Sequence, residues 1–78
     1  MNLEEAVGAE LRACRQKKQV SQEQLGFDAG IHRTYVSLIE RGAKSPTLGV
    51  LFRLCHALDV PAAKFVRNVQ LRVEKKDK

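Results

Sequence analysis

Arg33, Thr34, Ser37 and Arg41 carry the most recognition-capable side chains in the chain, and their spacing groups them. On a helix at ~100° per residue, these four and Leu38 fall within an arc of about 140°. The chemistry this implies is hydrogen bonding and charge recognition. A guanidinium is a planar fork of donors, and a hydroxyl both donates and accepts. The major groove of B-DNA admits one helix and shows a distinct donor and acceptor pattern for each base pair. The amino-terminal part of such a helix meets the base edges. Arg33 there could take guanine in a bidentate contact, Thr34 and Ser37 could bond several bases, and Leu38 could pack on a thymine methyl. Phosphates would fall to Gln22, at the start of the preceding helix, and to Arg41 and Lys44 around the exit loop. Singly, each residue has a plainer reading. Arg33 and Arg41 could be solvated charges and Leu38 a lone surface leucine. Tyr35 reads as a partly buried packing residue and His32 as a helix-start residue. Jointly, on one face, they point to double-stranded DNA.

The helix that presents this face is expected over about 32–41, with Val36 and Ile39 turned to the core and Gly42 ending it. Before it, Ser21 opens a short helix with Gln24 as a capping-box partner. Leu25 and Ala29 point inward, Gly30 supplies a sharp left-handed turn, and Ile31 is the buried residue of that turn. Gly26 costs about 1 kcal/mol relative to Ala within a helix, and its missing side chain would let another helix approach closely. A first helix reaches about Lys18, capped by Asn2 and Glu5, with Leu3, Val7, Leu11 and Cys14 as its apolar face and Ala6 beside it. Thr47 can cap a fourth helix to about Leu58, with an inward stripe of Leu48, Leu51, Leu54, Cys55 and Leu58. Pro61 opens a fifth, through about Asn68, with Ala62 and Phe65 toward the core. Val69, Leu71 and Val73 alternate with polar residues, a period-two pattern left open between strand, helix and frayed end. From Glu74 onward disorder or continued helix is expected.

The totals fit a small basic domain. The chain has 78 residues, a formal net charge of +5, a pI near 9.6 and 44% hydrophobic residues, too apolar for a disordered basic tail. Its two cysteines, Cys14 and Cys55, form no disulfide framework and no zinc-ligand spacing, so no metal or cofactor is expected. No phosphate loop, nucleophile elbow or H-E-x-x-H occurs, which argues against an enzyme. With no signal peptide and no membrane span, the expected location is the cytoplasm.

The runs L-R-A-C-R (11–15), S-Q-E-Q-L (21–25), G-I-H-R-T-Y-V-S-L-I-E-R-G (30–42) and S-P-T-L (45–48) resemble the phage-repressor/Cro, or XRE-type, helix-turn-helix family. The resemblance implies an all-α, compact five-helix bundle, lambda-repressor-like, in which the second and third helices form the helix-turn-helix. It implies a homodimer on a palindromic operator. By position, Gln22 matches a phosphate contact, Arg33, Thr34 and Leu38 match base contacts, and Ser37 and Tyr35 are secondary. Arg15 and Glu40 match a charged pair tying the first helix to the third. Gly26 stands where the family usually has Ala, and His32 where a Ser or Thr cap is common. Residues 1–68 would form the DNA-binding domain and 69–78 a tail, partly disordered or engaged in dimer contacts. Small stand-alone members resemble restriction-modification controllers and prophage regulators, with no small-molecule effector. Val50, Phe52, Val66 and Val69 are the expected dimer contacts. The competing reading is a protein-interaction module of the same fold, an antitoxin or adaptor.

Overall fold

Four of the five helix starts are written in their capping residues. In the computed structural model, which describes residues 1–75, the elements are α1 (Leu3–Lys18), α2 (Gln22–Ala29), α3 (Arg33–Glu40), α4 (Leu48–Leu58) and α5 (Ala62–Lys75). Asn2 and Glu5 close a reciprocal capping box on α1 at 2.8 and 3.1 Å, and Thr47 accepts from the Val50 amide at 3.1 Å on α4. Ser21 caps α2 through the Gln24 amide at 2.9 Å. The expected reciprocal half is absent there, because the Gln24 side chain bonds Asp28 one turn on, at 2.9 Å. His32 is itself the cap of α3, its Nδ1 accepting from the Thr34 amide at 3.0 Å, so imidazole does the work of a hydroxyl.

The five helices enclose one core of Ala6, Leu11, Leu25, Ala29, Val36, Ile39, Leu54, Cys55, Leu58, Phe65 and Val69. The expected all-α five-helix bundle is the fold observed, and no strand occurs among the described residues. Helix α3 is held by α1 and α2, while α5 closes the bundle against α1 and α4. Gly8, in the middle of α1, makes the α1–α3 crossing possible. A Cβ there would stand 2.6 Å from the Glu40 carbonyl oxygen, against backbone that cannot swing aside. At Gly26 a Cβ would stand 2.7 Å from the Ile31 carbonyl, so the close approach it permits is to the turn and the start of α3.

Several expectations are corrected by this packing. Leu3 and Leu48, assigned inward, are 56% and 69% exposed, because each sits in the first turn of its helix, outside the volume where the helices cross. Ala6 takes the buried place on α1, with Val7 and Cys14 half-buried. Ile31 is half-buried rather than buried, and Leu38 half-buried rather than exposed. Helix α5 does not end near Asn68 but runs to Lys75. Phe65, Val69 and Val73 stack at intervals of four and pack on the core, so the helical spacing overrides the two-residue alternation. The boundary expected between 68 and 69 therefore falls inside a continuous helix. What was expected of residues 76–78 lies outside the described residues. Val69, expected at a dimer contact, is 5% exposed within the single subunit; it is a core residue with almost no surface to offer a partner.

Candidate nucleic-acid interface

The outward face of α3 is presented by a frame of buried and hydrogen-bonded residues. Gly30, at φ 76°, turns the chain after α2, and the Ile31 amide closes that turn on the Gly26 carbonyl at 2.9 Å. Val36 and Ile39 are fully buried and fix the rotation of the helix. Arg33 and Thr34 are then exposed at its first turn, while Tyr35, Ser37 and Leu38 are half-buried. Past the helix, Gly42 at φ 75° redirects the chain, and Arg41 and Lys44 are exposed on the exit loop. Lys44 Nζ lies 5.8 Å from the centroid of the Tyr35 ring, so the loop folds back toward the helix. Arg33 is not wholly free. Its Nη1 lies 3.5 Å from Glu23 Oε1 with both side chains largely exposed, and pairs of that kind contribute little and are screened by salt.

Beneath this face sits a polar hub. The Glu40 side chain has no exposed surface. Arg15 donates to it twice, from Nε at 2.6 Å and from Nη2 at 3.0 Å, and holds the Val20 carbonyl through Nη1 at 3.0 Å. The pair expected from the resemblance is thus present in the structure, and it joins α1, the α1–α2 connection and α3. Two further donors reach Glu40 Oε1: Gln22 Nε2 at 3.0 Å and Arg12 Nε at 3.4 Å. Burial pushes the Glu40 carboxyl up, but the hydrogen bonds from Arg15, Gln22 and Arg12 and the charge of Arg15 outweigh it and hold it below its ordinary value. Gln22, expected to face phosphate, is therefore tied to the hub by one amide hydrogen. A primary amide has a second.

The residues not foreseen are Arg12 at this hub and a second buried acid on the other side of α1. Glu10 is 5% exposed and receives Arg72 Nε at 2.9 Å, Asn68 Nδ2 at 3.0 Å and Cys14 Sγ at 3.5 Å. A signal for it existed: Ala6, Glu10 and Cys14 recur at four, placing an acid in an apolar stripe. Phe27, at 82% exposed, is the most open large apolar residue described. Burial, then the charge of Glu10, pushes the Cys14 thiol up to about 11, and burial raises Cys55 too; neither has thiolate character. Among the described residues no group of His, Cys, Asp and Glu could hold a metal ion, and no helix is long and apolar enough to cross a membrane.

A helix-turn-helix family model matches residues 11–65. The chain belongs to the helix-turn-helix family of XRE type. It is 34% identical to Control protein C.SmaI of Serratia marcescens over 95% of this chain and 88% of that protein. It is 38% identical to Control protein C.BamHI of Bacillus amyloliquefaciens over 76% and 74%. Among solved structures, the clp gene regulator ClgR of Corynebacterium glutamicum superposes with a TM-score of 0.84 at 33% identity, over 90% of this chain and 91% of that one. The restriction-modification controller protein C.AhdI of Aeromonas hydrophila gives 0.77 at 35% identity, over 80% and 94%. The restriction-modification controller C.Esp1396I gives 0.85 at 27%, over 96% and 97%. Solved variants of C.Esp1396I carry single substitutions at an arginine, a threonine and a tyrosine that follow one another in its sequence. This XRE-type protein is a DNA-binding transcriptional regulator, as its sequence led one to expect, and not an enzyme.

Proposed function

We propose that this XRE-type regulator is a sequence-specific, cytoplasmic DNA-binding protein that binds a palindromic operator as a homodimer, with α3 in the major groove. The observation that carries the reading is the exposed first turn of α3, Arg33 and Thr34, standing on a helix whose opposite side is locked by Val36, Ile39 and Glu40. In this reading Arg33 contacts guanine, Thr34 and Ser37 bond base edges, Leu38 meets a thymine methyl, and Tyr35 is secondary. Gln22, through its second amide hydrogen, and Arg41 and Lys44 hold phosphates. Arg33, Thr34 and Tyr35 repeat in order the three residue types substituted in C.Esp1396I, which supports the assignment. The Arg33–Glu23 contact opens at small cost when guanine replaces the carboxylate.

Dimer contact falls to one apolar face. Phe52 and Val66 are 56% and 48% exposed, and with Ala62 and Ala63 they line a shared groove, whereas Val50 is half-buried on the opposite flank of α4, outside that groove. Val69 supports that face from the core. The activity needs no small-molecule effector: the concentration of the protein sets the fraction dimeric, and hence operator occupancy.

Selection of bound sequences from a random duplex pool tests this directly. Two half-sites in inverted repeat are expected. Enrichment of a single unpaired site, or of none, would overturn the dimeric operator reading. Arg33→Ala should cost about 1–3 kcal/mol on the selected site and relax preference at one base pair; equal loss on every duplex would remove Arg33 from base readout.

A further inference from the structure

The hub under α3 carries more positive charge than its structural task requires. Glu40 brings one negative charge. Arg15 alone neutralises it, with two short donors and a side chain only 14% exposed. Arg12 adds a second guanidinium through the longest contact of the set, 3.4 Å from Nε, and its side chain is 53% exposed. Among the described residues its terminal nitrogens make no hydrogen bond. The cluster of Arg12, Arg15, Gln22 and Glu40 is therefore left with a net charge of +1, carried at its open edge. The other buried acid on α1 shows the contrast. Glu10 meets a single cation, Arg72, and is completed by the neutral Asn68, which makes a balanced structural pair. Arg12 and Gln22 also converge on one atom, Glu40 Oε1, so the surplus guanidinium sits beside the first residue of α2.

We propose that Arg12 is a further DNA-backbone contact of this protein, donating its free terminal N–H groups to a phosphate oxygen beside Gln22, while Glu40 positions both donors. The assignment rests on the DNA-binding reading above. Arginine suits the place, because one nitrogen can stay on the carboxylate while the fork reaches a phosphate. The contact is blind to sequence, so it adds affinity without choosing bases.

Binding of the full chain to its selected duplex and to an unrelated duplex, measured across a salt series, tests the assignment in wild type, Arg12→Ala, Arg12→Lys and Arg33→Ala. Each phosphate contact adds about 0.9 to the slope of log affinity against log salt, roughly a threefold loss of affinity between 50 and 200 mM. Arg12→Ala should lower the slope by about that amount on both duplexes, at an unchanged thermal midpoint, since Arg15 and Gln22 still satisfy Glu40. Arg12→Lys should restore the slope. An unchanged slope in Arg12→Ala overturns the proposal, and so does a lowered midpoint with the slope intact, which would make Arg12 a structural partner. Arg33→Ala separates the two readings. If it weakens the selected site while Arg12→Ala alters nothing, only the Arg12 assignment fails; if Arg33→Ala changes no binding, the α3 reading fails instead.

Discussion

Glu40, on α3, sits where α1 and α2 also meet. Its buried carboxylate joins α1, α2 and α3 through Arg15, Arg12 and Gln22. Removing the carboxylate leaves Arg15 half-buried without its partner, so Glu40→Ala should cost roughly 3–5 kcal/mol, read as a shift in the urea midpoint. The carboxyl is held below its ordinary value of 4.5. A depressed folded-state value means that the stabilisation is complete above the unfolded value and is lost as pH falls through the folded one. Stability of the wild type should therefore decline below about pH 4.5 more steeply than that of Glu40→Gln, which has no such carboxyl to protonate. Denaturation midpoints of the two proteins from pH 6 to pH 2.5, roughly that window, would show it; parallel curves would mean that other carboxyls dominate. A charged residue on the edge of the α3 arc cannot be told from a solvated one by spacing alone, and the resemblance supplied the Arg15 partner. Gln22 and Arg12 as co-donors depend on side-chain positions that no spacing rule gives.

At the scale of elements, the caps and turns were legible because they are local. Asn2, Ser21 and Thr47 act on amides within three residues, and Gly30 and Gly42 answer a backbone demand at their own positions. Gly8 was not legible, since its reason lies thirty-odd residues away in the backbone of α3. Gly8→Ala should raise the intrinsic preference for helix by up to about 1 kcal/mol and still lower stability. Forcing a methyl into a packed crossing costs typically 1–3 kcal/mol or more, measurable as a lower thermal midpoint with unchanged α-helical circular dichroism at low temperature. The end of helix α5 is not legible in the sequence for a related reason. Its last turns have an alternating sequence that is equally at home in a strand, and only the packing of Val69 and Val73 and the reach of Arg72 to Glu10 select the helix. A chain truncated after Asn68 loses all three and should be less stable by several kcal/mol, in line with about 2–5 kcal/mol for loss of one buried aliphatic side chain.

For the whole molecule, the proposed function makes affinity for an operator depend on two copies. Phe52→Glu places charge on the apolar α4–α5 face without touching the core. It should shift sedimentation toward monomer and weaken binding to a two-half-site operator, while an isolated half-site is bound as before; equal weakening on both would place Phe52 outside the dimer contact. By itself the sequence determined the class of fold, the helix-turn-helix with its caps, and the face of α3 bearing Arg33 and Thr34. All of these follow from local backbone chemistry and from periodicity along one element. Only the tertiary structure decided that Leu3 and Leu48 stay outside, that Val69 goes inside, and that Gln22 and Arg12 share an oxygen of Glu40. Those outcomes rest on where separate helices cross, a distance between elements that the spacing within any one of them does not contain.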